Sequence, residues 1–513
     1  FCSAEEACLT TNTAFRAWEQ GRFQFDPATE AALSAAQRKI SRVLGRVPFR
    51  REMQLRFGPG ATTQIPKKAA CASKKFSQPA ACSGELSSLA KYVLEAVPAY
   101  TFEPDRVVVI PDVNADHELW EEYMLESLSL RESGFIPTAW SEKYVTYVKA
   151  GDDRKIMHVL VHPGRLSFVP KSYKTKRAIV VEPWLNGICQ LAVGDIIADK
   201  LRKVGQDIRD QVRNQTLARR GSIDGSLATI DLSSASDTVA TKLVEHLLPP
   251  DWFYLLSVLR TGRVEFDGRR IELQKFSSMG NGFTFPLETL IFWAVTSAVV
   301  GDEKSVSVYG DDIICPASDA LEVMRVLGCL GFQANPDKSF WTGPFRESCG
   351  KDYYSGIDVR PIFIDGRLTG HDLFRLHNFY VRNGEPEAAS IVLKAIDPSI
   401  RIYGPDGYGD GHLLGDWMPA RSPEHLDRGW GGVCFDTFTY KKRTFKGRLP
   451  GDRVLPSYSI YVRGDGGPQQ HLLGDEPFLD RDGAVTFPSW GSYRVGKRGE
   501  VVSNLPGKGS AKR

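Results

Sequence analysis

Three acidic positions in this sequence stand where strand-like runs end. The run Ser307 to Gly310, SVYG, leads directly into Asp311 and Asp312, and the apolar stretch IICP follows. Asp231 closes the short run LATI, and Asp237 comes six residues later, past small Ser and Ala residues. Two anionic oxygens about 4 Å apart repel by roughly 4 kcal/mol at an effective dielectric near 20. Such a pair in an apolar setting needs solvent, a proton or a divalent cation. Oxygen-only, Asp-rich sites suit Mg2+ or Mn2+. A bare Gly-Asp-Asp is more often a solvated turn. The second Asp-ended run shifts that balance, because two strands lying side by side can pool their acids. A pooled site would hold two cations, one activating an attacking oxygen and one stabilising the leaving oxygen.

Two further segments carry chemistry that fits such a site. Between the acids lies FSSMGNGFTFPLETLIFW, Phe276 to Trp293. Its Ser277, Gly280 and Asn281 make a loop before an apolar helix, able to approach a sugar or phosphate closely; a plain helix cap is the simpler reading of that loop alone. Upstream, FVPKSYKTKR brings Lys171, Lys174, Lys176 and Arg177 onto one segment, suited to cradling a triphosphate or, more simply, to an exposed charged hairpin. A near-copy of the acidic motif, DGYGDGHLLG at Asp406 to Gly415, has several glycines around one Asp410 and no strand pattern. It reads as a flexible turn.

The elements that must position these residues follow from periodicity and turn chemistry. SVSVYG reads as a strand ending in a tight turn on Gly310, with DIICP leaving as its partner. A helix is expected over Pro27 to Gly45, one near Leu185 to Val204, and one from about Ser236 to Leu248 that stops at Pro249-Pro250. GRVEFDGRRIEL reads as a hairpin turning on Asp267-Gly268. The apolar run at Thr289 to Val300 reads as a buried helix, since its twelve or so residues fall short of the roughly 20 needed to span a bilayer. Another helix is expected from about Ser318 to Leu330, and beyond Gly366 the pattern weakens into a Gly- and Pro-rich region with a basic tail.

The chain has 513 residues, too many for one core, so two to four packed subregions are expected. Its 42% hydrophobic and 25% charged composition is that of a soluble globular protein, and a net charge of +3 neither requires nor excludes a polyanion. Local windows say more. Arg38 to Arg56 holds seven basic residues against Glu52, and Lys171 to Arg220 holds eleven against five acids. Gly221 to Ala240 then has three Asp and no basic residue. Basic surface beside an acidic pocket suits a polyanion whose chemistry needs cations. Nine scattered cysteines without CxxC spacing argue for a reducing compartment and against a structural zinc. The opening FCSAEEACLT lacks a signal-peptide pattern and an initiator Met, so a fragment or processed product is expected.

In order, Asp-x5-Asp, Ser-x-Gly-Asn-Gly and Tyr-Gly-Asp-Asp, preceded by the Lys/Arg segment, resemble the palm of an RNA-dependent RNA polymerase. FVPKSYKTKR, GSLATIDLSSASD, SSMGNGFTF, YGDDIICP and GPFRESCGKDYYSGIDV resemble the replicase beta subunit of single-stranded RNA bacteriophages, over about Arg38 to Asp416. That resemblance implies an α+β right-hand fold, with an antiparallel palm sheet flanked by helices. Residues 1–220 would be mainly fingers, 221–360 mainly palm with 251–276 as a fingers insertion, and 361–513 thumb and C-terminal region. It implies that Asp231, Asp311 and Asp312 bind two Mg2+ ions, with Mn2+ as a possible substitute, and that Asp237, Asn281 and Ser277 read the ribose. Lys171, Lys174 and Arg177 would hold the triphosphate, and Lys338 would protonate departing pyrophosphate. Lys176 stands where relatives carry an acid. Arg346, Glu347 and Cys349 would support the primer or product strand. The resemblance further implies primer-independent replication of a viral RNA genome in the cytoplasm of an infected bacterium. Host elongation factors Tu and Ts and an OB-repeat ribosomal protein would be partners. The rivals on residues alone are a reverse transcriptase and a two-metal nuclease. Reverse transcriptases, however, usually carry a bulky residue where Gly310 stands and an aromatic gate where this chain has Ser and Ala.

Overall fold

The computed structural model describes residues 1–48, 52–67, 70, 75, 80–95, 106–110, 135–137, 147–149, 152–171, 175–364, 368–417, 433–440 and 493–500. Lys174 and the basic tail lie outside them. The described chain mixes helices and sheets and forms two compact units that divide between Arg360 and Pro361.

The first unit begins with helices α1 (Cys2–Glu19) and α2 (Pro27–Leu44). Asp26 caps α2 by accepting from the Thr29 N–H, and Gly45 ends it at a φ of 52°. Strand β1 (Ala80–Cys82) and helix α3 (Ala90–Glu95) follow. Next come β2 (Arg106–Ile110), β3 (Phe135–Pro137), β4 (Tyr147–Lys149) and β5 (Asp152–Val161), which with β1 form a five-stranded sheet. Strands β6 (Gly164–Pro170) and β7 (Lys176–Val181) make an antiparallel pair. Helices α4 (Trp184–Lys203) and α5 (Val212–Asp224) then lead into β8 (Leu227–Ser233).

Beyond β8 the expected helix from Ser236 is shorter than its sequence suggests. Ala235–Asp237 is a single 3-10 turn, and α6 (Thr241–Leu247) begins four residues after Asp237. Ser234, at a φ of 55°, breaks the helical path, so Asp237 sits in a tight turn rather than on a helix face. Helix α7 (Pro250–Leu259) starts on proline. The hairpin β9 (Arg263–Phe266) and β10 (Arg269–Glu272) turns on Asp267 and Gly268, both at positive φ, as expected for a two-residue hairpin turn. It adds to β6 and β7 as a four-stranded sheet, β10-β9-β6-β7.

Helix α8 (Thr284–Val300) is apolar on every side and buried for most of its length, including Phe292 and Trp293. It packs on α2, α4 and the strands β11 (Ser307–Tyr309) and β12 (Asp312–Pro316). Helix α9 (Ala320–Cys329) and the short β13 (Gln333–Ala334) complete an antiparallel sheet ordered β11-β12-β8-β13. Strands β14 (Phe345–Ser348), β15 (Lys351–Tyr354) and β16 (Ile357–Asp358) form a separate antiparallel sheet.

The second unit contains α10 (Gly370–Arg382), α11 (Pro386–Ala395) and the antiparallel pair β17 (Val433–Tyr440) and β18 (Tyr493–Glu500). The weak pattern after Gly366 therefore hides two helices. Thr369 and Asp372 form a reciprocal capping box at the first of them. Leu373, Phe374, Val392, Ile396 and Leu413 pack together in its core.

Candidate active site

The acids converge through strand register. On β8, Asp231 stands directly opposite Asp312 on β12. Directly opposed residues of an antiparallel pair face the same side of the sheet. Asp311 occupies the turn between β11 and β12, next to that pair. The turn depends on Gly310, whose φ is 61° and where an added methyl would overlap the Phe285 ring. The Gly310 N–H donates to Thr289 Oγ1 on α8 at 2.9 Å, tying the turn to the buried helix.

Each carboxylate is held by groups that the motifs alone do not reveal. Asn335 Nδ2 donates to Asp231 Oδ2 at 3.1 Å, and the Asn335 N–H donates to the Asp231 carbonyl at 2.8 Å. The Asp231 N–H donates to Ser339 Oγ at 3.2 Å. Across the sheet, Ser348 Oγ donates to Asp312 Oδ1 at 3.2 Å, and the Cys349 N–H also supports Asp312. These partners come from β13, β14 and the turns beside them. The pairing of β13 with β8 brings Asn335 to Asp231, and the end of β14 brings Ser348 to Asp312.

Charge and burial act together on the cluster. Burial, followed by the neighbouring Asp311 charge, pushes the Asp312 carboxyl up to about 6. Asp311 is also raised, first by burial and then by Asp231, while Arg177 and Lys171 oppose the shift. Those two cations thus lie close enough to act on the acidic turn, although they belong to the β6–β7 pair. Carboxylate oxygens brought together in this way are hard donors of the type a divalent cation takes. Among the described residues no group of three or more His, Cys, Asp or Glu is arranged to enclose a metal. A magnesium ion bound by one or two carboxylates would complete its shell with phosphate oxygens and water.

Asp237 and the 277–281 loop lie on the same unit. The Asp237 carboxylate pairs with Lys275 Nζ at 2.7 Å. Beside it, Ser236 Oγ is 2.5 Å from Glu288 Oε2. Glu288 is buried in α8, and burial pushes its carboxyl up to about 8, with Asp311 and Asp237 adding to the rise. In the loop, the Val180 N–H of β7 donates to the Met279 carbonyl at 2.8 Å. Gly280, at a φ of 110°, lies so close to the Val180 carbonyl that no side chain fits. Ser277 and Ser278 are both 3% exposed, and their hydroxyls find no hydrogen-bond partner. Asn281 Oδ1 accepts from the Phe283 N–H at 3.0 Å, leaving its amide NH2 to donate elsewhere.

The remaining expected residues divide. Lys338 follows Asn335 in the turn that holds Asp231, and its half-exposed Nζ is 3.8 Å from Glu347 Oε1. Burial raises the Glu347 carboxyl, Lys338 opposes, and the Asp231 charge contributes. Arg346 is different. It is completely buried, donating to the carbonyls of Leu227, Thr342, Gly343 and Phe345. Its bonds join the start of β8 to the turn before β14, so it holds that strand-turn element together from inside. Alternation along β14 is the reason, since Arg346 and Ser348 point to the buried side. Cys349 is also buried, its thiol pushed up to about 12. The second Gly-Asp motif is held rather than flexible: Asp410 Oδ1 accepts from Asn378 Nδ2 at 3.0 Å and from Arg382 at 2.9 Å. Asp406 pairs with the same arginine at 2.8 Å.

Acids opposed across one sheet, with Lys171 and Arg177 acting on the turn beside them and a glycine-shaped loop on the same unit, belong to a chain that mixes helices and sheets. The chain belongs to the RNA replicase beta-chain family, whose sequence profile matches residues 1–416. That match starts at the first residue, upstream of the Arg38 at which the resemblance was read. The RNA-directed RNA polymerase subunit beta of Escherichia virus Qbeta is 37% identical over 450 residues, covering 84% of this chain and 67% of that protein. The RNA-directed RNA polymerase beta chain of Escherichia phage MS2 is 48% identical over 199 residues, 38% of this chain and 36% of that one. Among solved structures, the RNA-dependent RNA polymerase of a human picorbirnavirus aligns at a TM-score of 0.33 with 14% identity, over 51% of this chain and 59% of that one. That likeness is too low to argue from. Among the described residues, no helix is long and apolar enough to cross a membrane.

Proposed function

We propose that this chain, an RNA-directed RNA polymerase by family, copies a single-stranded RNA phage genome at the β8–β12 acidic cluster with two divalent cations. The observation that carries this reading is the register that sets Asp231 opposite Asp312 with Asp311 in the adjoining turn. Asp231, Asp311 and Asp312 would hold Mg2+, or Mn2+ in its place. The cations would supply charge neutralisation at the reacting phosphate. The RNA 3′-hydroxyl gives up its proton to solvent as its oxygen attacks the α-phosphorus of a nucleoside triphosphate; a new phosphodiester bond forms and the bond to pyrophosphate breaks. Lys171 and Arg177 neutralise the triphosphate, joined by Lys174, which lies outside the described residues. Asp237 accepts from the ribose 2′-hydroxyl while the Asn281 amide donates to it, with Ser277 in support. Lys338 gives a proton to the departing pyrophosphate oxygen; its Nζ stands 3.8 Å from Glu347 Oε1.

In this reading the first unit supplies fingers and palm, and the second supplies the thumb region. Primer-independent initiation, action in the host cytoplasm and assembly with elongation factors Tu and Ts and an OB-repeat ribosomal protein are carried from the family resemblance. The test offers single-stranded RNA, four ribonucleotides and Mg2+, with those host factors added. Complementary RNA is expected, and release of mononucleotides instead would replace the polymerase reading with a nuclease. Asp311→Asn should abolish synthesis while filter-bound RNA is retained. Near-normal synthesis by that variant would refute the cation assignment.

A further inference from the structure

Lys275 lies in the segment between β10 and α8 and is 1% exposed. An ammonium group so placed is strongly destabilising unless it is paired. Its Nζ is 2.7 Å from Asp237 Oδ1 and 3.8 Å from Glu5 Oε1 on α1, and 5.0 Å from the centroid of the Phe1 ring. Asp237 is thus the nearer counter-charge, while burial raises the Glu5 carboxyl.

The segment carrying Lys275 is itself fixed from several directions. The Phe276 N–H donates to the Val239 carbonyl at 2.7 Å, and the Thr241 N–H donates to the Gln274 carbonyl at 3.2 Å. Arg260 donates to the Lys275 and Phe276 carbonyls at 3.0 and 2.9 Å. From α1, Asn12 Nδ2 donates to the Gln274 carbonyl at 2.9 Å, and Glu5 Oε2 accepts from the Gln274 N–H at 2.6 Å. Cys8 Sγ also reaches the Asp237 carbonyl at 3.4 Å. Lys275 therefore extends from a rigid base. It engages one carboxylate oxygen of Asp237 and leaves the other to accept a hydrogen bond.

We infer that Lys275 is a specificity-determining positioning residue: its buried ion pair orients the Asp237 carboxylate so that nucleotides bearing a 2′-hydroxyl are preferred. This rests on the reading of Asp237 as the ribose acceptor. A carboxylate free to rotate would accept from the hydroxyl only part of the time, whereas one locked through Oδ1 is preorganised.

The experiment measures kcat and KM for CTP and 2′-deoxyCTP on a defined RNA template, using the full chain with its host factors. Lys275→Met keeps the length and the apolar stem but removes the charge. The expected result is a fall of about ten-fold in the CTP over 2′-deoxyCTP preference in kcat/KM, with the loss concentrated in the KM for CTP. Equal losses for both nucleotides would show a merely structural role and overturn the inference. Should Lys275→Met not fold, Asp237→Asn and the double variant Asp237→Asn/Lys275→Met decide the matter, because the double variant removes both members of the Lys275–Asp237 pair. The two should discriminate equally. A further drop in the double variant would overturn the inference. Absence of RNA synthesis by the parent chain would instead strike the polymerase reading, and retained synthesis with Asp237→Asn discriminating normally would strike the ribose role of Asp237.

Discussion

At the scale of single residues, burial decides which charged side chains are available and in which form. Glu288 is the clearest case. The folded protein holds its proton up to about pH 8, whereas the unfolded chain releases it near 4.5. The charged groups around it are Asp311 and Asp237, both of which raise it, with the Ser236 hydroxyl as its bonded neighbour. The folded state binds the extra proton in that window, so stability from this group falls as pH climbs from 4.5 to 8, by up to about 1.4 kcal/mol per pH unit. Glu288→Gln keeps a partner for Ser236 and cannot ionise. Its thermal midpoint should exceed the parent's at pH 8 and converge with it near pH 4.5; parallel pH profiles would contradict the assignment. Arg346 makes the opposite point. Replacing it with Met strips donors from several buried carbonyls, and the expected cost is on the order of 3–5 kcal/mol in urea unfolding. The salt dependence of RNA binding should not change. The burial of both residues is set by tertiary packing, which one-dimensional context does not carry.

At the scale of elements, local chemistry was largely readable. The Asp267-Gly268 hairpin, the buried α8 and the turn on Gly310 all follow from propensity and period, and all are present. Gly310→Ala tests the turn. It forces a Cβ into positive φ against the Phe285 ring, and should lower stability by about 1–3 kcal/mol. RNA synthesis should fall further than stability alone explains, as read by comparing activity with the folded fraction from circular dichroism. Elements failed to be read where a turn interrupts a favourable pattern. Ser236 to Leu248 has helical composition, yet Ser234 at positive φ and the contacts of the 235–237 turn delay α6 to Thr241. In the second unit the signal was present in Thr369-x-x-Asp372, but the surrounding glycines and prolines obscured it.

At the scale of the molecule, both basic windows hold cations already paired with acids, Arg209 with Asp199 and Arg220 with Asp224 in the second. In the first, Lys39 and Arg42 both pair with Glu303, Arg46 with Glu52, and Arg56 with Asp195. Cations already paired with acids contribute little to a polyanion site. Lys39→Ala and Arg42→Ala should therefore leave the slope of log K against log salt for RNA binding unchanged and cost less than about 1 kcal/mol of stability. Arg177→Ala should weaken nucleotide binding, seen as a raised KM for triphosphates.

What the sequence by itself determined was the motifs and their order: Asp231 and Asp237, the 277–281 loop, then Asp311 and Asp312, with the strands at Asp231 and Asp312 set by local propensity. Membership of the RNA replicase beta-chain family was legible in those same motifs. Tertiary structure alone decided what surrounds them. Strand register set Asp231 opposite Asp312, brought Asn335 and Ser348 onto their carboxylates, and turned Arg346 inward. Packing of α1 against the 274–276 segment placed Lys275 on Asp237. The physical reason is range: backbone propensity acts over a few residues, whereas burial and carboxylate partners depend on segments 36 to 119 positions apart that meet only when the core closes.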